Sequence, residues 1–369
     1  MGAAGTAADR RSTHRGWGGF VNTRLDSTRP TEEAAPASSR PVGHPAQQWG
    51  QAASHLPPSE GPGRRLQRLF ARSLRILPKP LVKPFAAPYI AGETLEEGIT
   101  RARQLHAKHG LQSTLDVLGE DVANQADVDA YHQEYRRLIE QIRALPYANL
   151  SIKLSALGQL IDEENCVERT EDILRHAAAA GKFVRLDMED SSTTDSTLRI
   201  YRTLKEKGHD NVGIVLQSRL FRTKDDVEVL KPLKPNVRLC IGIYREPPEI
   251  ALQDKDAMKR HMLELLRVMW ENGQHVALAT HEEWCIRKAL DIAREMGKSD
   301  EELEVQMLLG VPRRALQQEL VDRGITVRLY VPYGRQWYAY SMRRLENNPD
   351  VLHSVVKSLF QGIFRTRGN

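Results

Sequence analysis

Short apolar or β-branched runs recur along the chain at 113–118, 149–155, 183–189, 212–218, 236–244, 275–280, 304–309 and 325–331. Amphipathic segments with helical spacing separate them, among them 128–144, 168–180, 197–207, 257–271 and 283–296. Strands that alternate with helices predict parallel βαβ units. Eight such units in roughly 220 residues are the count and size of a (β/α)8 barrel, an α/β fold of TIM type. A doubly wound sheet is the alternative, but no GxGxxG follows any of the runs. Several runs are continuously apolar, as strands covered on both faces should be. Ahead of the first run, Thr94 can cap a helix reaching to about Lys108, and Pro78, Pro80, Pro84 and Pro88 are expected to stop any helix before it.

The last run leads into Gly334-Arg-Gln-Trp-Tyr-Ala-Tyr-Ser-Met-Arg-Arg-Leu-Glu-Asn-Asn-Pro349, which reads as a helix. Tyr340, Arg343 and Asn347 share one side at spacings of three and four, with Arg344 about 100° further round. Two adjacent guanidiniums repel unless an anion lies between them, and planar forks suit carboxylate or phosphate. A basic turn on a solvated helix face is the plainer reading of the same pair. The frame of strands is expected to end under this helix, which places it over the C-terminal mouth.

The 369 residues carry a formal net charge of +5, with 40 % hydrophobic and 27 % charged side chains, which fits a globular protein with a sizeable core. Much of the excess charge is local: Arg64, Arg65, Arg68, Arg72, Arg75, Lys79 and Lys83 follow one another with no acid between them. A nucleic-acid-binding face spread over the whole protein is therefore not expected. No run of 18 apolar residues exists, so no spanning helix is expected. Cys166, Cys240 and Cys285 are odd in number and lack CxxC spacing, which disfavours a disulfide framework or zinc site and fits a reducing compartment. Residues 1–60, rich in Ala, Gly, Ser, Pro and Arg without hydrophobic periodicity, are expected to form a disordered tail. Residues 61–88 form a basic arm, and 89–369 the barrel. Within the arm, Leu66, Leu69, Phe70, Leu74 and Leu77 recur at helical spacing. Such a helix can lie on an anionic membrane surface or dock on its own core, and the pattern admits both.

Active sites of these barrels lie at the C-terminal ends of the strands. Here those ends carry Lys153 and Ser155, Asp187 to Asp190, Gln217, Tyr244, Thr280 with His281, and Tyr330, while Arg238 lies within strand five. Lys153 falls in an apolar run and needs a buried partner or a ligand, and Asp187 on the next strand is the expected partner. His281 has no HxH, HExxH or acidic cluster beside it, which disfavours metal hydrolysis. Gln217 and Arg238 offer an amide and a permanent cation, which suit the pyrimidine edge of a flavin or another planar ligand.

The series Leu150-Ser-Ile-Lys-Leu-Ser-Ala-Leu-Gly158, Val184-Arg-Leu-Asp-Met-Glu189, Val212-Gly-Ile-Val-Leu-Gln217, Ala277-Leu-Ala-Thr-His281, Glu304-Val-Gln-Met-Leu-Leu-Gly310, Val327-Arg-Leu-Tyr-Val-Pro-Tyr-Gly334 and Tyr340-x-x-Arg343-Arg344 resembles the bacterial monofunctional proline dehydrogenases. These are related to the proline dehydrogenase domain of proline utilization A. The resemblance runs in family order from about Ile90 onward. It implies a distorted (β/α)8 barrel that holds FAD and oxidises L-proline to Δ1-pyrroline-5-carboxylate by hydride transfer to flavin N5. Electrons then pass to a quinone, which implies a cytoplasmic protein with peripheral contact at the inner membrane face, or a mitochondrial one in a eukaryote. A pyrroline-5-carboxylate dehydrogenase would take the product. By the same resemblance Arg343, Arg344 and Lys153 would bind the proline carboxylate, and Tyr340, Tyr330, Tyr244 and Leu308 would wall the ring. Asp187 would orient the polar network beneath, and Gln217, Arg238, Thr280 and His281 would touch the flavin.

Four positions depart from the family pattern. Asn347 stands where the family has Glu, Ile241 replaces a basic residue, Ile243 a small one, and Arg219 a Tyr. Bulk at Ile243 is expected to narrow the pocket. An enzyme for a substituted proline such as hydroxyproline is a second reading, with Tyr330 against it, and a flavin-binding sensor barrel without turnover is a third.

Overall fold

The computed structural model describes residues 79–119, 122 and 124–347, with all their side chains except those of 79–81, 85 and 343–347. The expected tail and the basic segment 64–77 lie outside the described residues. Eight strands close into one barrel in chain order: β1 Gln112–Val117, β2 Ala148–Ile152, β3 Val184–Leu186, β4 Val212–Gln217, β5 Asn236–Cys240, β6 His275–Ala279, β7 Glu304–Leu308 and β8 Thr326–Tyr333. All pairs are parallel, and β1 meets β8 with Asp116 opposite Pro332 to complete the ring. The helices are α1 Lys79–Ala86, α2 Leu95–His109, α3 Gln125–Ile142, α4 Glu163–Ala179, α5 Thr194–Glu206, α6 Thr223–Leu230, α7 Lys255–Glu271, α8 Glu283–Glu295, α9 Arg314–Asp322 and α10 Trp337–Asn347.

The strands obey a two-residue period that the apolar runs partly conceal. One parity, including Leu115, Ile152, Val184, Ile214, Leu239, Leu278, Met307 and Leu329, is fully buried in the hydrophobic core. Helices cover it with apolar stripes, such as Val128, Tyr135, Leu138, Ile139 and Ile142 on α3. The other parity is largely polar and meets across the lumen. Arg238 on β5 reaches Ser151 on β2, and Arg185 on β3 reaches Asn236 on β5. Bonds between strands that are not neighbours can form only through the barrel interior.

Near the N-terminal end of the barrel, Arg185 donates to the carbonyls of Ile214 and Asn236, and Arg328 pairs with Glu304 and bonds Gln112. Burial, reinforced by Arg238, pulls the Arg185 guanidinium down to about 9. Gly213 makes room for it: a Cβ there would meet the Arg185 guanidinium and lie 2.6 Å from both Asn236 O and Phe183 Cζ. Gly213→Ala is therefore expected to destabilise the fold by about 2 kcal/mol or more, read from urea denaturation midpoints.

Local signals set several boundaries. Thr94 caps α2 in a reciprocal box with Glu97, and Gly110 ends it in the left-handed region, close to the expected span. The second strand stops at Ile152, earlier than the apolar run, because Ser155–Leu157 turns into a 3-10 helix closed by Gly158 at φ 90°. The prolines do not exclude a helix: α1 forms with Pro80 in its first turn and Pro84 inside. A first-turn proline has no intrahelical bond to lose, and Pro84 removes one bond from a helix that still buries Val82 and Ala86. This short helix packs on α10.

Candidate functional site

The polar parity gathers at the C-terminal ends of the strands. Asp116 lies near the end of β1, Lys153 and Asp187 just past β2 and β3, Gln217 ends β4, and Leu308 ends β7. Arg238 and Gln306 sit within β5 and β7, and Tyr330 lies within β8 opposite Leu308 and Thr114, not at its end. Thr280 and His281 follow β6 directly.

The nearest partner of Lys153 is Asp116, not the expected Asp187. Lys153 Nζ lies 2.6 Å from Asp116 Oδ1 and 3.9 Å from Asp187 Oδ2, and it also donates to the Tyr330 hydroxyl at 3.3 Å. Asp187 is held by other donors: Tyr330 Oη at 2.6 Å, Arg238 Nη1 at 2.8 Å and Ser151 Oγ at 2.9 Å. Register and the shared interior explain the exchange: β1 pairs directly with β2, with Asp116 opposite Ser151 and so on the same face as Lys153, while Arg238 reaches Asp187 across the lumen from β5. Arg238 also donates through Nε to Gln306 Oε1 at 2.5 Å, and its guanidinium lies 5.3 Å from the centre of the Tyr330 ring.

Two acids and two bases thus share a dry space, with side-chain exposures of 1 % for Asp116 and 9 % for Lys153. Burial alone would lower the Lys153 pKa, but Asp116 and Asp187 hold the ammonium well above its usual range. Burial pushes the Asp116 carboxyl up to about 6 against the pull of Lys153. Burial, with both carboxylates beside it, also raises the Tyr330 phenol well above its usual value. The cluster thus lies close to the strand C-terminal ends, where barrels of this type place their active sites.

Around this cluster Gln217 donates to the Glu189 carbonyl at 2.8 Å, and its buried Oε1 meets no donor among the described residues. His281 Nε2 accepts the Leu308 backbone N–H at 3.2 Å, and Thr280 Oγ1 accepts from Glu282 N at 3.1 Å. Tyr244 and Tyr340 are half-buried. Helix α10 turns Trp337, Ser341 and Met342 inward, so the helix read from the last stretch docks on the body of the protein. It carries positions 343, 344 and 347 on its backbone, with their side chains outside the described set.

Ile243, in the segment after β5, is 66 % exposed. Arg219 rests on Met258 Sδ at 3.7 Å. Sequence reasoning passed over Asp116, Ser151 and Gln306. The available signal was a carboxylate inside the apolar run 113–118, at the same parity as Lys153 once β1 and β2 are paired.

Comparison with known proteins adds an independent line. The proline dehydrogenase family model matches residues 99–240 and 250–357. The proline dehydrogenase of Deinococcus radiodurans is 36 % identical over 284 residues, covering 75 % of this chain and 90 % of the relative. Proline dehydrogenase 1 of Bacillus subtilis is 32 % identical over 277 residues, covering 75 % of this chain and 91 % of the relative. Among solved structures, proline utilization A from Bdellovibrio bacteriovorus inactivated by N-propargylglycine superposes with a TM-score of 0.67 at 23 % identity. That likeness is one of fold; it covers 78 % of this chain and 35 % of the larger protein.

Proposed function

The chain belongs to the proline dehydrogenase family, and from that premise we propose that it oxidises L-proline to Δ1-pyrroline-5-carboxylate with FAD and hands the electrons to a quinone. The observation that carries the reading is the charge-balanced cluster of Asp116, Asp187, Lys153 and Arg238 under the Tyr330 hydroxyl. Because its own charges cancel, an entering carboxylate needs further cations, and α10, which follows β8, carries Arg343 and Arg344. Lys153 and these two arginines bind the proline carboxylate, while Tyr330, Tyr340, Tyr244 and Leu308 wall the ring. Asp187 fixes Tyr330 and Arg238 in place through its three bonds. Apolar and aromatic walls exclude water and favour the neutral amine that oxidation at the adjacent carbon requires.

The residues present suit the cofactor. The orphaned Gln217 Oε1 is an acceptor for an imide N–H of the kind on a flavin's pyrimidine edge. Arg238 offers a cation, and Thr280 and His281 complete the set of residues that would hold the group. When bound, FAD supplies the two-electron acceptor that no side chain can provide.

A lipid-soluble acceptor fits the surface at the same end. Of the six large apolar residues exposed among the described residues, Leu160, Ile161, Phe221, Ile243 and Trp284 lie in segments leading away from strand C-termini, after β2, β4, β5 and β6, while Val229 lies at the far end of α6. Among the described residues no helix is long and apolar enough to cross a membrane, so contact would be peripheral. Anaerobic addition of L-proline to the purified flavoprotein is expected to bleach the flavin absorption, with trans-4-hydroxyproline slower. An unchanged spectrum at high proline would favour a sensor without turnover, and faster bleaching by hydroxyproline would favour the substituted substrate.

A further inference from the structure

Asp116 is the least supported charge in the cluster. Asp187 has three donors on its carboxylate, whereas Asp116 depends on the Lys153 ammonium at 2.6 Å. Its second oxygen, Oδ2, is buried and meets no donor among the described residues. The Tyr330 hydroxyl is nearby, but a phenol has one proton and that proton goes to Asp187 at 2.6 Å. A carboxylate arriving at Lys153 would share the ammonium with Asp116 and place a second anion beside it. Both changes favour the neutral acid.

We propose that Asp116 takes up a proton when the substrate carboxylate engages Lys153, so that substrate binding draws a proton from solvent into the barrel. This rests on the assignment of Lys153 to the carboxylate. The proton enters as one hydrogen ion per binding event and forms the Oδ2–H bond, with no electron transferred. The groups facing Asp116 leave it as the responsive one. Lys153, just past β2, is the cation beside it, Asp187 beyond β3 already accepts from three donors, and Tyr330 on β8 donates to Asp187. The phenols of Tyr135 on α3 and Tyr333 at the end of β8 are pushed upward, first by burial, and stay neutral. Asp116 already stands at about 6 without ligand, close enough to neutrality for a second anion to tip it.

The probe is tetrahydrofuran-2-carboxylate, a proline analogue whose ring oxygen replaces the amine, so that it brings no titratable nitrogen and cannot be oxidised in the same way. The holoenzyme is titrated with it by calorimetry at pH 7 in two buffers of unlike ionisation enthalpy. Net uptake approaching one proton is expected. Proton uptake on binding means that binding weakens as pH rises, so Kd should increase by up to about tenfold per pH unit above pH 6 and flatten below it. Asp116→Asn should abolish the uptake and the slope together. The proton count and slope of the wild-type enzyme stand without the variant. Wild-type binding with no proton exchange and a flat Kd overturns the proposal, as does undiminished uptake in Asp116→Asn. Binding that is equally tight in Lys153→Met overturns it by a separate route, because it removes the carboxylate from Lys153 altogether.

Discussion

Lys153→Met is expected to lower kcat/KM for L-proline by about 100- to 1,000-fold, since truncating one partner of a buried charge pair typically costs about 2–5 kcal/mol. The loss should appear mainly in KM if Lys153 holds the substrate carboxylate equally in ground and transition states, and in kcat if it orients the ring for transfer. Stability responds to the same substitution in a pH-dependent way. Without the ammonium, Asp116 is a buried carboxylate with no cation at hydrogen-bond distance, and its folded pKa rises beyond the present value of about 6. A group whose folded pKa is raised contributes favourably below its unfolded pKa and loses that contribution as pH climbs through the folded value. The variant should therefore be close to wild type in urea denaturation at pH 5 and weaker by about 3 kcal/mol at pH 8. Equal destabilisation at both pH values would mean that Asp116 does not carry the uncompensated charge. Adding Asp116→Asn to Lys153→Met should recover the stability at pH 8 but not the activity.

Asp187→Asn should be nearly as severe, for a different reason. The substitution preserves shape but replaces an anion that accepts from Ser151, Arg238 and Tyr330. An amide has one acceptor oxygen, and its NH2 group must face either the guanidinium or the hydroxyl as a second donor. Arg238, with a side-chain exposure of 8 %, then lacks its anion. A cost of about 3 kcal/mol is expected in chemical denaturation, together with weaker flavin retention on gel filtration. A double-mutant cycle with Arg238→Met isolates the pair: a coupling energy near zero would show that Asp187 acts through Tyr330 and Ser151 instead.

The site and the fold were legible to different depths. Eight strands in order, the helix after the last one and the capped helix before the first were readable because each rests on local periodicity or a cap. Lys153, Asp187, Gln217, Arg238 and Tyr330 stood out because each is polar within or just beyond an apolar run. Their partners were harder to assign. The strand on one side of β2 suggested Lys153 with Asp187, but β1 flanks its other side and brings Asp116 closer, while Arg238 reaches Asp187 from across the lumen. Asp116 escaped notice because a single carboxylate in the run 113–118 has no sequence neighbour that marks it as lining the interior. The stop expected from the prolines failed for the same reason in reverse: burial of Val82 and Ala86 and contact with α10 outweigh one missing bond.

By itself, then, the amino-acid order determined the alternation of strand and helix, the closing helix with its paired arginines, and the polar residues available at the strand ends. Those properties depend on interactions a few residues apart. Tertiary structure alone decided which parity of each strand faces the lumen, that Lys153 answers to Asp116 while Asp187 answers to Arg238, and that Ile243 faces solvent. Such choices follow from register and ring closure, which join β1 to β8 and let β5 touch β2 across a shared interior.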